Sequence, residues 1–253
     1  DYPVADRNLV TGRVAALWDL DAHEVIKLIW GTAAQDNDRV QFPEPEQIET
    51  AELVYLQARP SWTLSGSLFR NRITNIIRSI QRFDGTTRSF FTSSDNSGEL
   101  ITHGVELIGE LQPLPGLHLN ASLTWQDTDD RATGIDPSYS PRLLAKLKAD
   151  YTRGPWTYAA FGHYVDAMET NWDFTSGSST PGVFERVGER TDAYWDLGAN
   201  LRYRHPGSGL FAEVHASNLL NTQIRYPAVA PVDFERGLIG PGRTVTATLG
   251  WEF

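Results

Sequence analysis

The chain has 253 residues, a formal net charge of −10 and no cysteine. The negative balance argues against a nucleic-acid partner, because phosphate contacts demand lysine and arginine. The missing cysteines exclude disulfides, thiolate metal sites and cysteine nucleophiles. No apolar run reaches the ~20 residues of a membrane helix, yet a membrane strand needs only ~9–11 and hides its lipid face in alternation.

In chain order, Asp1–Asn8 is polar, begins abruptly and carries no signal peptide, which suggests a mature piece or a fragment of something longer. From Val10 onward the pattern predicts strands almost without interruption. Thr11–Leu20 and Glu24–Thr32 flank a tight turn at Asp21–His23. Thr50–Gln57 and Trp62–Arg70 flank Ala58–Ser61, and Gly104–Leu111 and Leu117–Trp125 flank Gln112–Gly116. Leu143–Tyr151 and Trp156–Tyr164 flank Thr152–Pro155, and Tyr194–Tyr203 and Leu210–Leu219 flank Arg204–Gly209. Arg243–Phe253 completes eleven strands, and no stretch has helical periodicity.

These short turns alternate with long polar connections: Ala33–Glu49, Asn71–His103, Gln126–Arg142, Val165–Ala193 and Leu220–Gly242. A sandwich has no reason to place every long loop at one end, whereas an outer-membrane barrel has short turns on one side and long loops on the other. The strand faces agree. Leu117, Leu119, Ala121, Leu123 and Trp125 alternate with His118, Asn120, Ser122 and Thr124. In the last strand Val245, Ala247, Leu249 and Trp251 alternate with Thr246, Thr248 and Gly250. Trp18, Trp30, Trp125, Tyr151, Trp156, Tyr164, Trp195, Tyr203 and Trp251 all fall near strand ends, as aromatic girdles require. The expected fold is therefore all-β, a transmembrane antiparallel β-barrel.

Several short motifs, taken together, resemble the TonB-dependent outer-membrane receptors. They are Gly240-Pro241-Gly242 before the last strand, Asn218-Leu219-Leu220-Asn221 followed by Arg225-Tyr226-Pro227, and Asn96-x-Gly98-Glu99 followed by Gly104-Val105-Glu106-Leu107. Leu114-Pro115-Gly116-Leu117, Ser140-Pro141-Arg142 and Glu49-Thr50-x-Glu52-Leu53 stand in the same order as in that family. The resemblance implies a 22-stranded barrel with an N-terminal plug, of which residues 1–253 would be the C-terminal part, about eleven strands, with no plug domain in this segment. It also implies a receptor in the outer membrane of a Gram-negative cell, in contact with lipid and lipopolysaccharide. Such a receptor takes up a scarce nutrient, in the first instance a ferric siderophore, with energy from TonB acting through the missing N-terminal region. Its nearest partners would be the plug and the N-terminal barrel strands of the same receptor. The segment Thr32-Ala33-Ala34-Gln35 departs from the family pattern and argues against a role tied to it, as in haem receptors.

Three loops combine aromatic and cationic residues and are the candidate ligand-binding elements. Arg82, Phe83, Arg88, Phe90 and Phe91 lie in the second, which is expected to form a small hairpin of its own. Trp172, Phe174, Phe184, Arg186 and Arg190 lie in the fourth, and Arg225, Tyr226, Phe234 and Arg236 in the fifth. From these, Arg88, Phe90, Phe91, Trp172, Phe174, Arg186, Arg225 and Tyr226 are the predicted contacts. Aromatic faces with arginine suit a flat anionic ligand such as a ferric catecholate. The alternative use of these aromatics is to pack the loops on one another. Lys27, Glu106, Glu110, Lys146, Lys148, Asp150, Asp196 and Arg202 are expected to face inward, toward plug or water.

No cofactor is expected. The run Asp127–Asp130 with Asp136 offers carboxylates to Ca²⁺ but lacks the spacing and glycine of a calcium loop, and a solvated loop is the simpler reading. His163 and His215 lie on polar strand faces where a Ser or Asp could approach, but there is no Gly-x-Ser-x-Gly elbow and no phosphate loop, so no enzyme is expected. A passive porin, an autotransporter barrel and a barrel-borne hydrolase are the alternatives. An upstream plug would exclude the first two, and activity lost on changing His163 or His215 would support the third.

Overall fold

A computed structural model describes residues 10–35, 44–84, 86–131, 134, 136–170, 172–173, 185–186, 188–228 and 236–252. The described residues contain strands and no helix. In chain order the strands are β1 (Arg13–Asp21), β2 (Glu24–Gln35), β3 (Glu46–Arg59), β4 (Trp62–Asp84), β5 (Ser89–Leu114), β6 (Leu117–Asp130), β7 (Leu143–Arg153) and β8 (Trp156–Val165). They continue as β9 (Trp172–Asp173), β10 (Glu185–Arg186), β11 (Tyr194–Arg204), β12 (Leu210–Ser217), β13 (Arg225–Tyr226), β14 (Leu238–Ile239) and β15 (Thr244–Trp251). Eleven of them form one antiparallel sheet in the order β1-β2-β3-β4-β5-β6-β7-β8-β11-β12-β15. The pairs β9/β10 and β13/β14 are two small sheets of their own inside the fourth and fifth long connections. Among the described residues neither β1 nor β15 has a second neighbour, so the sheet is not closed.

Short turns fix the register. At Asp21–His23 the Asp21 carboxylate accepts the His23 backbone N–H at 2.6 Å, a local bond that makes Asp favourable in turns. Gly116 turns at φ 81°, and a Cβ there would lie 2.4 Å from the Thr152 carbonyl oxygen, so neither the angle nor the space admits a side chain. With register fixed, period-two alternation sorts most of the apolar side chains onto one face, with Leu17, Leu56 and Ile108 among the exceptions on the other. Val14, Leu28 and Leu53 fall on one face with Leu68 and Leu107. The same face continues through Leu123, Ala145, Tyr164 and Trp195.

That apolar face is exposed. Leu147 is 53% and Leu249 80% exposed, values a sandwich core could not tolerate. It ends in aromatic residues at both levels. Trp30, Trp125, Tyr164 and Trp195 mark the loop end; Trp18, Tyr151, Trp156, Tyr203 and Trp251 mark the turn end. Tyr164 and Trp195 meet at 5.3 Å between ring centroids, Trp156 and Tyr203 at 4.8 Å. Eight residue steps separate Trp195 from Tyr203, about 26 Å along the strand and about 20 Å of height once strands tilt by ~40°. That matches the ~25 Å apolar band of an outer-membrane barrel.

Several predicted boundaries shift, most of all those at the second long connection. The second long connection is largely strand: β4 and β5 run on as one hairpin with a turn at 86–88, and with register breaks between Ile73 and Arg78. The β-branched and aromatic run from Ile73 to Phe91 explains why pairing persists. At 23 residues β4 is roughly 75 Å long, about twice what a bilayer needs. Beyond Thr74 and Leu100 its flanking neighbours β3 and β6 stop, and the hairpin continues as a two-stranded ribbon.

Candidate functional site

The face opposite the apolar one is polar and rises toward the loop end. Lys27, Glu106, Glu110, Lys146, Lys148, Asp150, Asp196 and Arg202 all have the register of this face. Many are paired. Arg202 bonds Glu252, lies 3.7 Å from Glu213 and stacks 4.2 Å over the Phe211 ring. Lys148 meets Asp150 at 3.2 Å, and Glu106 accepts the Thr124 hydroxyl at 3.2 Å. His163 Nε2 lies 4.0 Å from Asp196, and His215 stacks on Phe161 at 5.7 Å. Three phenyl rings of this face lie across glycines on the next strand, each pair in register: Phe69 with Gly104, Phe161 with Gly198 and Phe211 with Gly250.

At the loop end three connections lock into one cap. Buried residues gather there: Met168, Thr170, Thr191, Tyr194, Asn218, Ile224 and Ala228. Tyr139, between β6 and β7, reaches out of its own loop: its N–H donates to the Glu169 carbonyl at 3.0 Å and its hydroxyl to the Ala228 carbonyl at 3.0 Å. It thus touches the β8–β11 and β12–β15 connections at once. Arg186, on β10, sends its guanidinium to the carbonyls of Thr170 and Asp136 and to the Ser138 hydroxyl. Burial pushes its pKa down, but an arginine starts far enough above neutrality to remain a cation. Arg236 meets Glu189 at 3.6 Å, joining the last two connections.

The base of the cap is held by the Asn218–Asn221 turn. Asn218 is 3% exposed, with φ 48°. Its side-chain Oδ1 accepts the Thr222 N–H at 2.9 Å, and its side-chain Nδ2 donates to the carbonyls of Thr222 at 2.8 Å and Pro241 at 3.2 Å. Its own N–H donates to Asp196 at 3.0 Å. Asn221, also left-handed at φ 53°, accepts the Arg243 N–H at 3.0 Å where β15 begins. Asparagine is the side chain that tolerates this backbone and satisfies its neighbours.

Between the first two connections of the cap lies a polar cleft of about 160 Å³. Gln126, Thr128, Ser140, Asp136, Asp166 and Glu169 line it, with Arg142 and Arg190 at its sides. Arg142 bridges Asp127 at 3.3 Å and Asp136 at 3.2 Å, and Arg131 lies 3.4 Å from Asp129. Guanidinium groups therefore take Asp127, Asp129 and Asp136, three of the carboxylates that could have faced a calcium ion, and no metal-holding cluster occurs among the described residues. The cleft is smaller than the ~300–1,000 Å³ of a drug-sized ligand site. It can hold one polar group of a ligand whose bulk occupies the open polar face below.

The predicted contacts separate into two places. Arg88 sits exposed at the tip of the β4–β5 hairpin with φ 53°, and Phe83 pairs with Phe90 and Arg82 with Phe91 across it. Arg186, Arg225 and Tyr226 belong to the cap. Arg225 donates to the Gln223 side chain at 3.2 Å and the Arg236 carbonyl at 3.4 Å, while Tyr226 pairs with Leu238 and is 43% exposed. Trp172 pairs with Arg186 in β9/β10. Phe174, Phe184 and Phe234 lie outside the described residues. Sequence reasoning missed Tyr139 and the cleft carboxylates Asp166 and Glu169. Only the aromatic within Pro137-Ser138-Tyr139-Ser140-Pro141 could have signalled the first.

Residues 6–219 match the family described as "TonB dependent receptor-like, beta-barrel". No curated protein sequence matches the chain. Among solved structures, the siderophore receptor PirA from Acinetobacter baumannii is similar at TM-score 0.74 and 14% identity, over 96% of this chain and 41% of that one. The copper transporter OprC is similar at TM-score 0.72 and 15% identity, over 96% and 40%. The ferripyoverdine receptor of the outer membrane of Pseudomonas aeruginosa is similar at TM-score 0.74 and 16% identity, over 96% and 33%. The chain therefore spans about two fifths or less of these neighbours.

Proposed function

This chain belongs to the TonB-dependent receptor-like β-barrel family, whose barrels are outer-membrane proteins, and on that premise we propose that it is part of the barrel of a receptor importing a ferric siderophore with energy from TonB. In this reading residues 1–253 supply about eleven strands of a 22-stranded wall. The remaining strands and a plug belong to the same receptor. The receptor binds and translocates, and covalent chemistry is no part of its work.

The observation that carries the reading is the difference between the two faces of the sheet. An apolar band between two aromatic belts lies on one side of the sheet, the side that would meet lipid, and a face with Phe and charge lies on the other, the side that would meet the plug. A ligand would enter past the hairpin tip with Arg88, Phe90 and Phe91, and past the cap with Trp172, Phe174, Arg186, Arg225 and Tyr226. Lipopolysaccharide would surround the belt at the loop end. The solved neighbours include siderophore receptors and a copper transporter, which fits a metal-nutrient receptor.

Uptake tests this directly. Deleting the gene should abolish accumulation of radioactive iron from at least one ferric siderophore, and deleting the gene for TonB should do the same. Uptake of every ferric siderophore and of copper unchanged in the deletion strain would refute the proposal.

A further inference from the structure

We propose that Asp196 couples the polar face of the wall to the cap, so that a cation meeting its carboxylate on that face holds the cap closed. Asp196 has the register of the polar face on β11, with His163 of β8 as its partner, and its side chain is partly buried. Its two oxygens serve different elements. Oδ1 accepts the Asn218 N–H at 3.0 Å and so holds the turn at the base of the cap. Oδ2 stands 4.0 Å from His163 Nε2, beyond hydrogen-bond reach, and accepts no hydrogen bond from the described residues. The carboxylate is therefore half committed, with one acceptor on the cap and one left for the polar face.

The same row continues to Lys146 of β7, the register partner of His163. Two strand spacings, about 10 Å, separate Lys146 from Asp196, so Oδ2 is left to a nearer cation. Behind the row, the buried Tyr194 sets its ring edge-on to His163 at 6.2 Å between centroids. A cation meeting Oδ2 fixes the torsions of the Asp196 side chain. Ordering that side chain in advance lowers the entropy cost of holding Asn218 on Oδ1. The Asn218 turn is the element with two states: held, with its bonds to Thr222 and Pro241 made, or open. The coupling is reciprocal, so a closed cap also raises the affinity of Oδ2 for a cation. The base of the cap thus answers to charge on the polar face through one carboxylate, with no contact between cap and cation. This holds whichever nutrient the protein takes up.

Amide exchange on the intact protein in outer-membrane vesicles tests this, with a fixed charge placed at position 163 as the cation. The readouts are the Leu219 and Gly240 N–H groups, bonded to the carbonyls of Leu197 and Ile224. The Arg204 N–H, bonded to the Pro155 carbonyl at the turn end, is the internal reference. His163→Lys should slow exchange at Leu219 and Gly240 ~3-fold relative to His163→Gln, the effect of a modest ion pair, and leave Arg204 unchanged. Asp196→Asn keeps an acceptor oxygen but loses the charge, so alone it should speed exchange at both cap amides ~10-fold. Combined with Asp196→Asn, the two position-163 variants should become equal. Equal exchange in His163→Lys and His163→Gln, faster exchange in His163→Lys, or a difference that survives Asp196→Asn overturns the coupling. So does a change at Arg204 as large as that at Leu219, which assigns the effect to the wall at large. If His163→Lys does not insert, Asp196→Asn alone decides: a rise confined to the cap amides supports the coupling, and unchanged exchange there overturns it.

Discussion

Asn218 offers the sharpest test of what holds the cap. Changing it to Ala removes three hydrogen bonds, to Thr222 N–H, Thr222 carbonyl and Pro241 carbonyl, at a site 3% exposed. Each is worth ~1 kcal/mol net. Alanine at φ 48° adds ~1 kcal/mol of left-handed strain. The cap should therefore open about 4 kcal/mol more easily, a ~10³-fold change in the opening equilibrium. Asn218→Gly loses the same bonds but not the φ, so it should be milder by about 1 kcal/mol. Amide hydrogen exchange reads this at two bonds the substitution does not delete: Leu219 N–H to the Leu197 carbonyl, and Gly240 N–H to the Ile224 carbonyl. Exchange at Gly240 unchanged in the Ala variant, or Gly as damaging as Ala, would refute the account.

Other outcomes follow from the same geometry. Arg186→Ala should expose the Asp136–Tyr139 segment to proteolysis, and Arg186→Lys should fail to restore it, because an ammonium cannot reach three spread acceptors as a planar fork does; protection equal to wild type in the Lys variant would count against the fork. A Cβ at Gly198 would lie 2.2 Å from the Phe161 ring, so Gly198→Ala should cost ~1–3 kcal/mol in urea unfolding, with part recovered on adding Phe161→Ala. Leu147→Arg, at mid-band on the apolar face, should cost ~2–4 kcal/mol of bilayer-inserted stability, while Ser122→Arg on the polar face should be tolerated; equal costs would contradict the assigned faces. Cysteines substituted for Ala216 and Val245, which are register partners, should cross-link, and cysteines substituted for Ala16 and Ala247 should not; the chain's lack of native cysteine keeps the readout clean.

The wall was legible in the sequence because its forces are local. Alternation depends on the next two residues, and Leu143 to Tyr151 announces its outward face with no knowledge of β8. Turn residues such as Asp21 and Gly116 act within a few positions. The cap was not legible, because its bonds join residues far apart: Arg186 and Asp136, or Tyr139 and Ala228. An aromatic beside an arginine reads the same in sequence whether it faces a ligand or braces a loop. Arg186 was singled out for charge, and the structure adds the acceptors that charge meets. The long β4–β5 hairpin was half legible: a small hairpin within the connection was expected from its residues, but not that pairing runs on from the wall through an irregular register between Ile73 and Arg78.

Strand direction limits how this wall can close. Every neighbour in the sheet is antiparallel, so the first and eleventh strands, β1 and β15, run the same way. Joining them directly would set two parallel strands side by side, and two copies arranged about a shared axis would make two such seams. Antiparallel closure instead needs an odd number of further strands between β15 and β1, which gives the even total of bacterial barrels. Eleven more satisfy that parity and bring the wall to the size at which a plug fills the interior. Such a plug would meet the charges of the polar face. Lys27, Glu110 and Lys146 have no ion-pair partner within 4.0 Å among the described residues, and a polar plug surface would supply one. A disulfide within one chain between cysteines substituted for Ala16 and Ala247 would mean that the sheet curls on itself, and no further strands would then be needed to close it.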